Sequence, residues 1–355
     1  MPAFTIDEVV VPPTLDAPGA EQFVEALDVG NIVNTIGYGT SDLAYEPAEE
    51  LPQFSDPHEP HRMLAASVAG KIVARALYQT HVGEGADTAW IIVEVLPEFR
   101  RRGIGAALAD AVEAIARGDG KAKALVYTPI PNTPNAQQHL NSPTGFGSIA
   151  LNADARFLLA RGYSFEQVGR LSRLTLPVAG IDRLLADAEK ASGPDYAVRY
   201  WRDATPERWQ ADVALLGTRM STDAPSAGLE EPEDVWTIER VIEADERAKL
   251  NPRTRLFAVA EHIPSGTLAG YTVLSVPRQS HRAVDQYATL VLREHRGHAL
   301  GKLMKVANLA HLARLKPGHP SVVTFNAEEN RHMLDVNESL GFVGIANESA
   351  WRKDL

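Results

Sequence analysis

The 355-residue chain contains no cysteine, which excludes disulfide bonds, thiolate metal ligands and a cysteine nucleophile. It has no apolar run close to the ~20 residues that a membrane-spanning helix needs. Its first residues, MPAFTIDEVV, have no basic stretch followed by an apolar one. We therefore expect no signal peptide, no membrane association and a cytoplasmic location.

The chain also lacks a positive charge balance. Its 46 acidic and 35 basic residues give a formal net charge of −11. Non-specific binding to nucleic acid needs a basic face, so we expect no nucleic-acid partner. A neutral or cationic small substrate fits this charge, and so does a surface that is acidic only for solubility.

The chain does contain enough apolar residues for two cores. Hydrophobic residues make up 45% of a length that exceeds one ordinary domain. In the first half, apolar patterns predict strands within 61–81, 88–97 and 123–129, helices over 103–117 and near 154–160, and a strand over 164–176. The second half repeats this order, with strands within 255–276, 287–292 and 321–326 and helices over 299–315 and 330–339.

A repeat of roughly 170 residues accounts for this order. We predict an α/β (α+β) protein of two domains, each a mixed, mainly antiparallel sheet flanked by helices. The predicted parts are an N-terminal domain over 1–176, a linker helix over 177–195 and a C-terminal domain over 196–355. The polar stretch 130–148 is the main insertion in the first half, and it either covers a substrate site or forms a surface loop.

Two arginine–glycine turns each lie between a predicted strand and a predicted helix. They are LPEFRRRGIGAAL (96–108) and LREHRGHALGKLM (292–304). A helix N-terminus has free N–H groups and a partial positive charge, and glycine lets a phosphate approach closely. Each half is therefore predicted to contain a pyrophosphate cradle. Neither turn has the P-loop pattern, and GIGAAL lacks the last glycine of a dinucleotide fingerprint.

Both turns resemble the acyl-CoA motif of GNAT-type N-acetyltransferases, [Q/R]-x-x-G-x-[G/A] after a strand. The matching positions are Arg100, Gly103 and Gly105 in the first half, and Arg296 and Gly301 in the second. The second copy has Ala299 where the first glycine belongs. NAEENRHMLDVNESLGF (326–342) is similar to the last motif of that family. The resemblance covers most of the chain and implies a tandem member with two GNAT-like domains.

The resemblance implies direct transfer of an acetyl group from acetyl-CoA to a primary amine, with a small molecule as the expected substrate. A protein lysine or N-terminal acetyltransferase and a non-catalytic, CoA-binding regulatory protein are the alternatives. It further implies that acetyl-CoA is the cosubstrate. We separately expect that no metal is needed and that the protein is a monomer or homodimer. His295 and His298 come without a cluster of carboxylates, so they predict no metal site.

By the same resemblance, acetyl-CoA would contact the strand end, the turn and the start of the helix in each half. In the first half these residues are Val95, Leu96, Arg100, Arg101, Arg102, Gly103, Ile104, Gly105 and Ala106. In the second half they are Val291, Leu292, Arg296, Gly297, His298, Ala299, Leu300, Gly301 and Asn330. Backbone N–H groups at the strand ends would polarise the thioester carbonyl. Asn330 would contact the pantetheine arm, and Leu151 stands at its place in the first half.

Glu94 is the candidate catalytic base. It lies inside WIIVEVL, just before the first cradle. A carboxylate among apolar residues is costly unless it is paired or functional. The alternative is a solvent-facing residue or one paired with Arg100–Arg102. The second half has Leu290 at this place, with Gln286 and Thr289 nearby as polar pocket residues.

The general acid is missing from both halves. The family often uses a tyrosine, four residues before the glycine of the closing turn, to protonate the departing CoA thiolate. Leu158 and Asn337 stand at those places, and neither donates a proton. Tyr127, Tyr163 and Tyr287 are the candidate substitutes. The first half, with the complete motif and Glu94, is the favoured acetyl-CoA site, and the second half is the alternative.

Overall fold

The computed structural model describes residues 4–83, 86–130, 138–223 and 225–355. The first half contains β1 (Phe4–Glu8), α1 (Ala20–Tyr38), α2 (Pro47–Glu50), β2 (His61–Val68), β3 (Lys71–Thr80), β4 (Thr88–Val95), α3 (Ile104–Gly118), β5 (Lys123–Ile130), β6 (His139–Asn141), β7 (Ser148–Ala150), α4 (Ala153–Ala160) and β8 (Ser164–Thr175). The rest contains α5 (Ile181–Ser192), β9 (Tyr196–Arg202), α6 (Gln210–Asp223), α7 (Ile238–Ala248), β10 (Thr254–His262), β11 (Thr267–Val276), β12 (Val284–Val291), α8 (Leu300–Leu315), β13 (Ser321–Ala327), α9 (Arg331–Ser339) and β14 (Val343–Asp354).

Twelve strands form one continuous sheet, in the order β1-β2-β3-β4-β5-β14-β8-β13-β12-β11-β10-β9. Neighbouring strands are antiparallel except β4–β5 and β12–β13, which are parallel. These two pairs hydrogen-bond only near their beginnings, over 88–90 with 123–125 and over 284–285 with 322–323, and then separate. Each half therefore has a gap in its sheet, and the predicted fold class is confirmed.

The two halves exchange their last strands. Strand β14 lies beside β5 and extends the sheet of the first half, while β8 lies beside β13 of the second half. Strands β8 and β14 pair with each other, and Gly169 faces Glu348 across that pair. The same offset of 179 residues separates Gly162 from Gly341 and Gly169 from Glu348. The twofold axis of the repeat thus passes between Gly169 and Glu348.

The predicted linker region belongs to the packed structure. Helix α5 lies within 177–195 and packs against α8. Leu184, Leu185 and Ala188 of α5 join the apolar clusters of the second half. The predicted boundaries at 176 and 195 stay a prediction, because the sheet continues across both through the exchanged strands.

Local sequence explains the strand-to-helix step that positions each site. Pro97 cannot donate to the sheet, so β4 ends before it and a 3-10 turn follows. Ile104, Leu108 and Val112 recur at helical spacing and are buried against the sheet. In the described part of the chain, no helix is both long and apolar enough to span a bilayer.

The insertion at 130–148 lies partly outside the described residues, which omit 131–137. The described remainder contains a small hairpin of β6 and β7, in which Leu140 faces Ile149. Ile149 is buried in the core of the first half. This part of the insertion is therefore anchored by its own apolar contact. Whether the insertion covers a substrate site stays a prediction.

Candidate active site

The two strand-to-helix turns have the same backbone shape. Each contains two residues in the left-handed region, at equivalent places 196 residues apart. They are Arg101 (φ 62°) and Gly103 (φ 85°) in the first half, and Gly297 (φ 87°) and Ala299 (φ 53°) in the second. Glycine accommodates this conformation without strain, whereas alanine in it costs roughly 1–2 kcal/mol. Each turn thus has one glycine at these two places: Gly103 at the second place in the first half, and Gly297 at the first place in the second half.

The motif arginine of each half ties its turn to the preceding strand. Nε of Arg100 donates to the carbonyl oxygen of Val95 at 3.0 Å, and Nε of Arg296 donates to that of Val291 at 3.2 Å. Arg296 also pairs with Asp223 at 2.7 Å. These arginines therefore stabilise the turn itself, in addition to the cosubstrate contact that the sequence predicts for them.

The backbone N–H groups at the strand ends differ in whether they are already hydrogen-bonded within the sheet. The N–H groups of Leu96 and Leu292 donate to carbonyls of the neighbouring strands, at 3.0 and 2.9 Å, so they are not free to polarise a thioester carbonyl. Because successive N–H groups along a strand point to opposite edges, those of Val95 and Val291 point toward the gap. Of the predicted strand-end donors, only the two valines thus face the gap.

The second-half gap opens into a cavity of about 770 Å³ that brings most of the predicted residues together. Those lining it are Val291, Arg296, Gly297, Ala299, Leu300, Gly301 and Asn330. Leu292 is instead buried in the core, and the ring of His298 packs 5.1 Å from that of Tyr196. No side chain in the described part of the chain caps the N-terminus of α8. Its first N–H groups are therefore available to an anion at the cavity wall.

A β-bulge shapes the middle of this cavity. Thr272 faces Thr289 and Leu274 faces Gln286, so two residues of β12 lie opposite one of β11. Nε2 of Gln286 donates to the carbonyl oxygens of Val273 and Ala288, at 2.8 and 3.0 Å. The amide of Gln286 thus holds the bulge in place. The pairing of β3 with β4 in the first half runs without such an interruption.

Glu94 lines a cavity of about 590 Å³ in the first half and is only 5% exposed. Its carboxylate pairs with the equally buried Arg75, 2.5 Å away, and not with Arg100–Arg102. The guanidinium lies against α1 at Gly30, where any side chain would overlap it. Burial of Glu94 is therefore explained by this ion pair. Its role as a base stays a prediction.

The turn of the first cradle has space beside its glycines and exposed side chains on its surface. A Cβ at Gly103 would meet no protein atom within 4 Å, and one at Gly105 would lie 3.4 Å from Val95. Arg101, Arg102 and Ala106 are exposed, whereas Ile104 is buried, which leaves its backbone as the part available to a ligand. Arg102 donates to the Glu98 carbonyl at 2.7 Å and lies over the Phe99 ring. Helix α3, like α8, has no side-chain cap.

The N-terminal caps of α4 and α9 show which residues of the two halves are equivalent at the start of these helices. Oδ1 of Asn330 accepts from Met333 N–H at 3.3 Å and caps α9. Oδ1 of Asn152 accepts from Ala155 N–H at 2.8 Å and caps α4. The prediction that Leu151 stands at the place of Asn330 is therefore off by one residue, because α4 is one residue shorter than α9. Each half has an asparagine at the edge of its cavity.

Two cavity residues whose pKa burial shifts to about 7 are absent from the sequence prediction. Glu348 on β14 lines the first cavity and accepts from the Tyr38 hydroxyl at 2.8 Å. Burial raises the pKa of Glu348 to about 7. Lys305 on α8 lines the second cavity, and burial lowers its pKa to about 7. The missed signals are a charged residue inside an apolar helix and a lone glutamate in the unpredicted strand β14.

The three substitute tyrosines have different surroundings. The Tyr163 hydroxyl donates to Glu113 at 3.2 Å, and Tyr127 donates to Glu231. Burial, with the adjacent Glu113 carboxylate, raises the pKa of Tyr163 above its ordinary value. Tyr287 is 55% exposed and lines the second cavity. Tyr127 lines the first cavity, and Tyr163 does so with its hydroxyl already committed.

A group of possible metal ligands joins the two halves: Glu59, His81 and Asp234. Arg240 pairs with Glu59 at 3.2 Å and also with Asp234. Its guanidinium supplies the positive charge that these carboxylates need. They are thus explained as an ion-pair cluster between the halves, and the prediction that the protein needs no metal stays a prediction.

Comparison with known proteins supports the repeat. Residues 31–140 match the sequence model of the Acetyltransferase (GNAT) family. The chain is similar to a tandem GNAT protein from the clavulanic acid biosynthesis pathway, at 24% identity and a TM-score of 0.70 over 99% of this chain and 98% of that one. It is also similar to a GCN5-related N-acetyltransferase from Sphaerobacter thermophilus, at 14% identity and a TM-score of 0.60 over 99% and 95%. No curated protein matches it.

The predicted tandem organisation is confirmed by the first of these structures, which repeats the arrangement along nearly the whole of both chains. The family match lies in the first half and contains its cradle, and the second half has the same turn geometry on a more divergent sequence. The chain thus has the fold of tandem GNAT proteins, and its residues 31–140 match the GNAT family model.

Proposed function

We propose that the protein moves the acetyl group of acetyl-CoA to the primary amine of a small molecule, within one ternary complex. The observation that carries this proposal is the second-half cavity, where strand end, turn, uncapped α8 and Asn330 surround about 770 Å³. The N–H groups at the start of α8 suit a pyrophosphate. A Cβ at Gly297 would meet no protein atom within 4 Å, which leaves room for a phosphate beside the turn.

In this proposal the protein acts mainly by placing the reacting groups. Proximity and orientation supply much of the rate of an acyl transfer between two bound substrates. The Val291 N–H faces the gap and would donate to the thioester oxygen as negative charge develops there. Oδ1 of Asn330 caps α9, so its amide nitrogen Nδ2 would be the atom that donates to the pantetheine arm.

The acceptor amine would meet the acetyl group where the two cavities adjoin. Phe325 lines both cavities. The ring of Tyr38 packs edge-on against Phe325, 5.6 Å between centroids, and its hydroxyl donates to Glu348. Among the described residues, Glu348 has no lysine or arginine as an ion-pair partner. A carboxyl with a pKa near 7 is suited to accept the proton of an amine at neutral pH.

The test of the proposed function is CoA release with acetyl-CoA and a panel of amines. The panel contains small primary amines, lysine peptides and peptides with a free N-terminus, and mass spectrometry identifies the acetylated product. Acetylation of a small amine supports the proposal. Acetylation of peptides alone would move the function to proteins, and acetyl-CoA binding with no product at all would identify a non-catalytic CoA-binding protein.

The base is tested with two matched substitutions in the same cavity. Glu348→Gln removes a buried carboxyl that has no cationic partner among the described residues, and we expect kcat/KM to fall by roughly 10²-fold. Glu94→Gln leaves an oxygen for Arg75, and we expect less than about a threefold change, a barrier difference of ~0.65 kcal/mol. The reverse result would assign the base to Glu94, as the sequence predicts.

A further inference from the structure

The side chain of Lys305 is a buried cation with no described counter-charge. Lys305 lies in the second turn of α8, is 2% exposed and lines the second-half cavity. In the described part of the chain it forms no ion pair within 4.0 Å. A buried ammonium is costly without a partner, so this position calls for a function or a ligand. Burial lowers its pKa to about 7.

The ammonium packs against Phe342, whose backbone is hydrogen-bonded to the residue at the place of the missing acid. Nζ of Lys305 is 5.7 Å from the centroid of the Phe342 ring. The Phe342 N–H in turn donates to the carbonyl oxygen of Asn337 at 3.1 Å. Asn337 stands at the acid's place, and its Nδ2 is committed to Asn326 Oδ1 at 2.7 Å. Asn337 has no acidic proton to give, whereas Lys305 lines the cavity and carries one.

The equivalent positions of the first half hold apolar residues. The offset of 196 residues that aligns the two turns places Ala109 opposite Lys305. Leu158 stands opposite Asn337, and both Ala109 and Leu158 are buried apolar residues. The lysine is therefore a feature of the second cavity alone, where the cradle residues meet.

We propose that Lys305 is the general acid that protonates the departing sulfur of CoA in the second-half cavity. The step rests on the proposed acetyl transfer. As the amine nitrogen bonds to the acetyl carbon, it gives up one proton to Glu348, and the electron pair of the breaking carbon–sulfur bond stays on sulfur. The Lys305 ammonium gives its proton to this thiolate, which leaves CoA as the thiol and Lys305 as a neutral amine. Water returns the proton to Lys305.

The charge state of Lys305 determines how its contribution to kcat changes with pH. The acid form is present below about pH 7 and is lost as the pH rises above it. The other charged or titratable groups lining the cavity are Asp223, Tyr287, His295, Arg296, Lys302 and His332. Asp223 is paired with Arg293 and Arg296 at 2.9 and 2.7 Å, so it does not hold the lysine charged. The contribution of Lys305 to kcat should therefore fall with a midpoint near pH 7.

The test compares Lys305→Met with Lys316→Met, which removes the same charge just beyond the end of α8 and outside the cavity. For Lys305→Met we expect unchanged acetyl-CoA affinity by calorimetry and a kcat lower by roughly 10²-fold. We also expect loss of the wild-type decline in kcat above pH 7. Lys316→Met should match the wild type in all three. Lys305→Gln, a polar neutral substitute, repeats the test if the methionine variant fails to fold.

A second readout needs no turnover. The ultraviolet absorbance of the thiolate reports the pKa of CoA bound to each variant, and desulfo-CoA supplies the blank. Bound CoA should ionise at lower pH in the wild type than in Lys305→Met, because the ammonium stabilises the thiolate. A kcat within a factor of about three of the wild type, a loss confined to KM, or equal thiol pKa values would each overturn the role of Lys305. Failure of wild-type protein to bind acetyl-CoA would instead remove the proposed function.

Discussion

The two halves share one order of strands and helices, and among their differences is a cross-strand pair beside each gap. In the first half this pair is Arg75–Glu94, and at the same place in the second half it is Tyr271–Leu290. The first pair is a buried ion pair, and the second joins buried apolar side chains. The fold therefore tolerates either solution. The chemistry of a half is set by the few side chains that border its gap.

The same comparison divides the proposed functions between the cavities. The second cavity has the bulge, Asn330 and a lysine without a counter-ion, which suit a CoA thioester. The first has Glu348, a carboxyl that suits the proton of an amine. In the first half, moreover, Arg100 and Asp154 both line the cavity and lie 4.0 Å apart. We therefore propose the second half as the acetyl-CoA site, where the sequence favours the first.

The largest expected effect concerns the ion pair that distinguishes the halves. Glu94→Leu should lower the free energy of unfolding by about 3–5 kcal/mol, because Arg75 would remain buried and unpaired. The double substitution Arg75→Leu with Glu94→Leu should recover most of this loss, since it imitates the apolar pair of the second half. Denaturant unfolding of the single and double variants measures both. A double variant no more stable than Glu94→Leu would contradict the comparison.

The next effect separates the two cradles. Gly301→Val adds a side chain between the turn of the second half and its cavity, so we expect acetyl transfer to fall by 10²-fold or more, about 2.7 kcal/mol. Gly105→Val is the matched change in the first cradle and should retain most of the activity. The two variants are compared by kcat/KM after circular dichroism has shown that both fold. Loss of activity in Gly105→Val alone would assign catalysis to the first half.

Glu348 provides a smaller effect with a defined pH dependence. Its pKa in the folded protein is about 7, above the ordinary value near 4.5. Burial of the carboxyl therefore begins to destabilise the folded state as the pH rises above 4.5, and the full effect is present above about pH 7. Glu348→Gln should therefore stabilise the protein by about 1–3 kcal/mol at pH 8 and have little effect at pH 4. Melting temperatures across this range test the sign. Equal shifts at both pH values would contradict a buried, easily protonated carboxyl.

The smallest effect tests the shared shape of the turns. Ala299 adopts the left-handed conformation that Gly103 adopts in the first half. Ala299→Gly should therefore raise the free energy of unfolding by at most about 1 kcal/mol, and Gly103→Ala should lower it by a similar amount. Unfolding by urea resolves this difference if the two variants are measured side by side. A destabilising Ala299→Gly would show that the alanine side chain makes a contact that the backbone comparison misses.

The sequence predicts the repeating elements because each has a clear local signal. Strands β2 to β5, helix α3 and their second-half counterparts follow from apolar periodicity and from Pro97 or glycine at their ends. The cradles follow from the spacing of Arg100, Gly103 and Gly105. Tandem organisation follows from the repeat of this order.

Features that depend on tertiary partners were not predictable. Helix α1 contains Gly30 and Gly37, which weaken its helical signal but allow Arg75 and Pro129 to pack against it. The exchange of β8 and β14 depends on which half each strand pairs with, and local sequence carries no such information. Lys305 has the pattern of a solvated residue, yet α5 and the sheet cover most of α8.

The central claim is that the second-half cavity binds acetyl-CoA and carries out the transfer. A crystal structure with acetyl-CoA bound tests it most directly. We predict a pyrophosphate at the N–H groups that begin α8, the pantetheine arm beside Asn330 and the sulfur within reach of the Lys305 ammonium. Acetyl-CoA bound at the first cradle alone, with its thioester beside Glu94 and the second cavity empty, would contradict the account.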